Sequence, residues 1–147
     1  MTMSIRFKIV AVFASVFISS LATAVSAEER CTDASLRGSY AFQVDGTNLS
    51  GPFAAVGKNT YDGKGGMKGV IVISLNGAII PATYTGTYHV SSDCTGVKSA
   101  TLNIGLTVSF YFVLDDDARE IRMIVSDSGF TVSGTARKLF TEAENKE

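Results

Sequence analysis

From residue 37 onward apolar side chains recur at every second position, and turn-forming residues interrupt them at intervals of about 8 to 14. A chain patterned in this way buries one face of successive β-strands and has no sustained stripe with which to pack a helix. Tyr40, Phe42 and Val44 alternate with Ser39, Ala41 and Gln43. Asp45-Gly46 then reads as a stop signal. Further strands are expected over 53–61, 68–75, 79–90, 98–104, 107–114, 120–126 and 130–139. Asn76-Gly77 predicts a tight hairpin, because a type I′ turn needs positive φ at both central residues. Pro81 suggests an edge or bulged position in its strand. Residues 28–36 could add one helical turn capped by Thr32 or Asp33. Eight strands joined by short turns are best satisfied by an antiparallel meander, and closing it removes the exposed edges. The expected fold is all-β, an eight-stranded up-and-down barrel, with a β-sandwich as the alternative.

The first 27 residues stand outside this pattern. Arg6 and Lys8 precede a 13-residue apolar run from Ile9 to Leu21, and Val25-Ser26-Ala27 offers a small-residue cleavage site. This arrangement reads as a secretory signal, since the run is shorter than the roughly 18 to 20 residues a bilayer span needs. The domain is expected over 28–140, with a polar tail over 141–147 and no membrane span after signal removal. The remaining chain carries 14 acidic and 11 basic side chains, a balance of −3. Such a chain lacks the basic surface that nucleic-acid binding requires. Its expected location is the periplasm or the extracellular space.

Export decides how Cys31 and Cys94 are read. Two thiols in an oxidising compartment favour a structural crosslink, and neither belongs to a CxxC pair. Their bond would tie the N-terminal segment to the turn 91–96.

Chemistry-bearing groups are few. His89 is the only imidazole, and no G-x-S-x-G elbow accompanies it. Glu120 and Asp127 flank one strand without a periodicity that would place them in one pocket. Asp115-Asp116-Asp117 lacks the calcium-loop pattern, and the glycine-rich 62–66 segment lacks phosphate-loop spacing, so both read as turns. No metal or cofactor is expected. The aromatic residues are more informative, because Tyr40, Phe42, Tyr84 and Tyr88, joined by His89, could line a pocket for a small apolar ligand. Several strands are apolar on both faces, including Val70-Ile71-Val72-Ile73 and Phe110-Tyr111-Phe112-Val113-Leu114. That excess points to a buried outer surface and a homo-oligomer. An outer-membrane barrel would share it, but Lys58, Lys68, Lys98 and Arg122 interrupt the strand faces and the chain ends in a polar tail.

The order Cys31-Thr32 with Leu36-Arg37-Gly38-Ser39-Tyr40-Ala41-Phe42, then Thr60-Tyr61-Asp62-Gly63-Lys64-Gly65, Gly86-Thr87-Tyr88-His89-Val90, Asp93-Cys94-Thr95-Gly96 and Gly134-Thr135-Ala136-Arg137, resembles small exported bacterial two-cysteine β-barrel proteins of unassigned function. More loosely the scaffold resembles the calycin-like barrels of allene oxide cyclases and dirigent proteins. That likeness implies shape and possible oligomerisation, and no active-site residue carries over. The expected function is non-enzymatic binding of a small apolar ligand or a protein partner. Two alternatives are a cyclase or isomerase using Tyr40, Tyr84, Tyr88 or His89 as proton donors, and a structural or surface-interaction protein.

Overall fold

The computed structural model describes residues 31–115 and 117–140, so the proposed signal and the polar tail lie outside the described residues. A one-turn 3-10 helix, Asp33–Ser35, precedes eight strands. These are β1 (Arg37–Asn48), β2 (Gly51–Asp62), β3 (Gly66–Leu75), β4 (Ala78–Val90), β5 (Thr95–Leu102), β6 (Thr107–Asp115), β7 (Glu120–Val125) and β8 (Thr131–Lys138). Each pairs antiparallel with the next, and β8 returns to β1 with Tyr40 opposite Lys138 and Thr47 opposite Thr131. The barrel is therefore closed, and the sandwich is not formed. Alternation along each strand sends one set of side chains inward, among them Tyr40 and Val44 from β1, Ile121, Met123 and Val125 from β7, and Val132 and Ala136 from β8.

Three local expectations are corrected. Asp45-Gly46 does not end β1, which runs on to Asn48. Gly46 instead lies so close to β8 that a Cβ would overlap the Thr131 carbonyl, and its φ of 152° suits glycine. Strand β5 begins at Thr95 and ends at Leu102, and 103–106 make the turn. Pro81 has no sheet edge to occupy in a closed barrel, but β5 pairs only with Tyr84–Val90. The first part of β4 is therefore free on that side, where the missing N–H is tolerated.

One end of the barrel is sealed. Beyond the 3-10 turn, Leu36 is fully buried beneath the strands. The Tyr88 hydroxyl shares its proton between the carbonyls of Asp33 and Leu36, each at 2.9 Å. The Val90 N–H donates to Asp33 Oδ1 at 2.7 Å. Cys31 and Cys94 form a disulfide, with Cα atoms 5.0 Å apart, that ties this segment to the β4–β5 turn. The bond is consistent with an oxidising, exported location. Replacing Leu36 by alanine should cost roughly 3 kcal/mol, because a closed ring of strands cannot collapse into the space left. Urea denaturation would measure this, and an unchanged midpoint would show that the seal contributes nothing to stability.

Candidate functional site

Among the described residues, the inward faces of β2, β4 and β5 carry the polar side chains of the core apart from the sealing tyrosines. Asn59 and Lys98 are its buried polar and charged residues, with Lys98 only 5% exposed. The parity of β5 causes this placement, because Gly96, Lys98, Ala100 and Leu102 share the inward face. Lys98, legible in the sequence only as an interruption of a strand face, therefore points into the barrel.

Its surroundings are specific. Lys98 Nζ lies 3.3 Å from Tyr61 Oη and 3.3 Å from Met123 Sδ. It also stands 4.9 Å from the centre of the Phe110 ring, within cation–π range. Among the described residues no carboxylate pairs with it. Asn59 Nδ2 donates to Tyr61 Oη at 3.2 Å, and the Tyr84 hydroxyl donates to Asn59 Oδ1. Four residues thus form one continuous polar chain, Tyr84–Asn59–Tyr61–Lys98, in an otherwise apolar interior. Burial without a counter-ion lowers the Lys98 pKa to about 7, because charging the amine there forfeits its hydration. Burial also raises Tyr61 and Tyr84 well above the ordinary phenol range.

Below this chain, Tyr61 meets Tyr40 and Tyr88 edge-on, with ring centres 5.4 and 5.2 Å apart. Above it is a cavity of about 60 Å³. Asn59, Tyr84, Lys98 and Met123 line its deep part. Half-buried Phe53 and Phe130, with Leu106 from the β5–β6 turn, ring the end opposite the seal. This volume is far below the roughly 300 Å³ at which small-molecule sites usually begin. Most of the barrel is packed, and only a slender group fits without movement of the rings.

The five residues expected to form a pocket separate into three places. Phe42 and Tyr84 line the cavity. Tyr40 and Tyr88 face inward but belong to the sealed end, where the Tyr40 hydroxyl donates to the Ala118 carbonyl at 2.6 Å. Burial, then the neighbouring Tyr88, pushes the Tyr40 pKa up to about 12. His89 is on the outside, with Nδ1 3.3 Å from Asp33 Oδ1, because it alternates with inward Tyr88 and Val90. Asn59, Tyr61 and Lys98 were missed as site residues. Among the described residues no group of three His, Cys, Asp or Glu side chains is placed to hold a metal, and no helix is long and apolar enough to cross a membrane.

No protein-family model and no curated protein matches this chain. Its likeness is one of fold. A redesigned β-barrel, mFAP1, solved bound to DFHBI, superposes with a TM-score of 0.53 at 18% identity, covering 72% of this chain and 97% of that one. EF1p2_mFAP2b bound to DFHBI gives 0.50 at 14% identity, covering 71% and 94%. At such identities the likeness supports the closed barrel and assigns no residue a role.

Proposed function

We propose that this protein is an exported, non-enzymatic barrel that binds a small, slender, largely apolar ligand through the end opposite its disulfide-tied seal. The observation that carries this reading is the buried polar chain ending at Lys98 beneath an apolar mouth. A packed core is more stable with an apolar residue in place of an unpaired buried amine, so a group kept at that cost suits recognition better than folding. The two barrels of similar fold were solved bound to DFHBI, which supports the use of such an interior for a ligand. The mouth rings Phe53 and Phe130 are only half buried, so the apolar entrance is open to solvent on one side. The resemblance to exported bacterial two-cysteine barrels and the single disulfide support placement outside the cytoplasm.

Native mass spectrometry of gently purified protein, followed by organic extraction, tests this reading and reports the assembly mass as well. A co-purifying hydrophobic molecule, or a rise in Tm with straight-chain alcohols such as 1-octanol, is expected. The variant Ala100→Leu, which fills the cavity from β5, should remain folded by circular dichroism and lose that response. If neither the native protein nor a panel of apolar compounds shows binding, the ligand reading is wrong.

A surface-interaction role is the second reading, favoured by the small cavity together with the outer face. Val97, Tyr111 and Ile124 lie opposite one another across β5, β6 and β7. Tyr111 is 61% exposed. A second copy of the chain covering this row would appear in the same spectra as a dimer or higher mass. The cyclase or isomerase reading retains only Tyr84 of its four proposed donors at the cavity. Its phenol, held neutral by burial, is a weak acid there.

A further inference from the structure

The polar chain inside the barrel converges on Tyr61. The Tyr84 hydroxyl donates to Asn59 Oδ1, and Asn59 Nδ2 donates to Tyr61 Oη. Lys98 Nζ in turn donates to Tyr61 Oη and toward Met123 Sδ, each at 3.3 Å. Among the described residues no carboxylate pairs with it, and Lys98 is buried on the wall of the apolar cavity. Such a site favours the neutral amine, a nucleophile facing a cavity.

We propose that Lys98 forms an imine with the carbonyl of an aldehyde carried on a slender apolar ligand. This rests on the ligand-binding reading above and specifies its chemistry. The Nζ lone pair attacks the carbonyl carbon and forms a C–N bond, and one N–H proton moves to the carbonyl oxygen, which gives a neutral carbinolamine. The second N–H proton then goes to the departing hydroxyl, the C–O bond breaks, and one water leaves. The product is a neutral imine and no electron changes hands. The chain from Tyr84 holds Tyr61 in place through Asn59, and Phe110 covers one side of the amine. An unbranched alkyl tail would lie along the apolar wall toward the mouth, where water is excluded and the imine is protected from hydrolysis.

Lysine burial also supplies selectivity. The pKa of about 7 leaves a large share of Lys98 unprotonated at neutral pH, whereas an ordinary exposed lysine is almost wholly charged. The titratable groups facing the amine from neighbouring strands are Tyr61 on β2 and Tyr84 and Tyr88 on β4, all held neutral by burial. The facing residues on β6 and β7 are Phe110 and Met123.

Incubation with octanal and cyanoborohydride at pH 7, followed by peptide mapping, tests the inference. A single reduced octyl adduct on Lys98 is expected, at least tenfold above any other lysine, with 1-octanol competing. Lys98→Met should abolish it and still bind 1-octanol. The peptide map of the native protein is decisive even if that variant fails to fold. If 1-octanol binds and the octyl group spreads over surface lysines or is missing, the imine is wrong and the ligand reading stands. If octanoate binds in place of octanal, with no adduct, Lys98 is an anion site and the inference fails. If neither probe binds at all, both readings fall together.

Discussion

Raising the pH from 7 toward 10 is expected to stabilise this protein by up to about 4 kcal/mol, the reverse of what a surface-charged domain would do in that range. In the folded state burial holds Lys98 near a pKa of about 7. In the unfolded chain the same amine titrates at roughly 10.4. Between those values the unfolded state binds more protons, so unfolding becomes less favourable as pH rises. The contribution is complete above the unfolded value and is lost as pH falls to that of the folded state. Above about pH 10 the sign reverses, because Tyr40, Tyr61 and Tyr84 keep their protons when folded and release them when unfolded. Maximum stability should therefore lie near pH 10. Lys98→Met should flatten the rise and stabilise the protein at pH 7 by about 4 kcal/mol, since methionine fits an apolar interior without the cost of charging. Urea denaturation at closely spaced pH values measures both, and a native curve that is flat between pH 7 and 10 would show that Lys98 is solvated.

Loss of the Cys31–Cys94 bond is expected to be the next largest effect. The two cysteines are 63 residues apart, and chain-entropy arithmetic for such a loop gives about 4 kcal/mol. That is a large part of the net stability of a domain this size. The double variant Cys31→Ser, Cys94→Ser and the reduced native protein should both show the loss in urea denaturation. Hydrogen exchange should place it at the sealed end, with faster exchange at Val90, whose amide donates to Asp33 Oδ1 in the tethered segment. Equal exchange in both forms would mean that Leu36 and Asp33 hold the seal without the crosslink.

Much of the architecture was legible in the pattern of residues. The alternation around Tyr40, Phe42 and Val44 and the Asn76-Gly77 turn pointed to strand and hairpin, and both are present. Asp45-Gly46 misled because glycine in a strand can serve close packing as well as turning. Only the approach of β8 to β1 distinguishes the two uses. Of the proposed pocket, Phe42 and Tyr84 were found because aromatic alternation marks an inward face. Tyr40 and Tyr88 share that face but were assigned to the wrong depth, since the position of the seal along the axis depends on where residues 31–36 fold back.

Lys98 shows the boundary most clearly. On β5, Val97, Ser99 and Thr101 alternate with Gly96, Lys98, Ala100 and Leu102, so each face is mixed and parity cannot be read locally. A lysine in such a strand is normally placed in water, where its charge is hydrated. The register with β4 and β6, which sets Lys98 opposite Tyr88 and Phe110, reverses that preference. The sequence by itself determined the closed antiparallel barrel and its crosslink, because period two, short turns and two cysteines are local or compositional signals. The tertiary structure alone decided which end is sealed and which polar groups meet inside, because these follow from register and chain return, and a register shift of one residue turns every side chain to the other face.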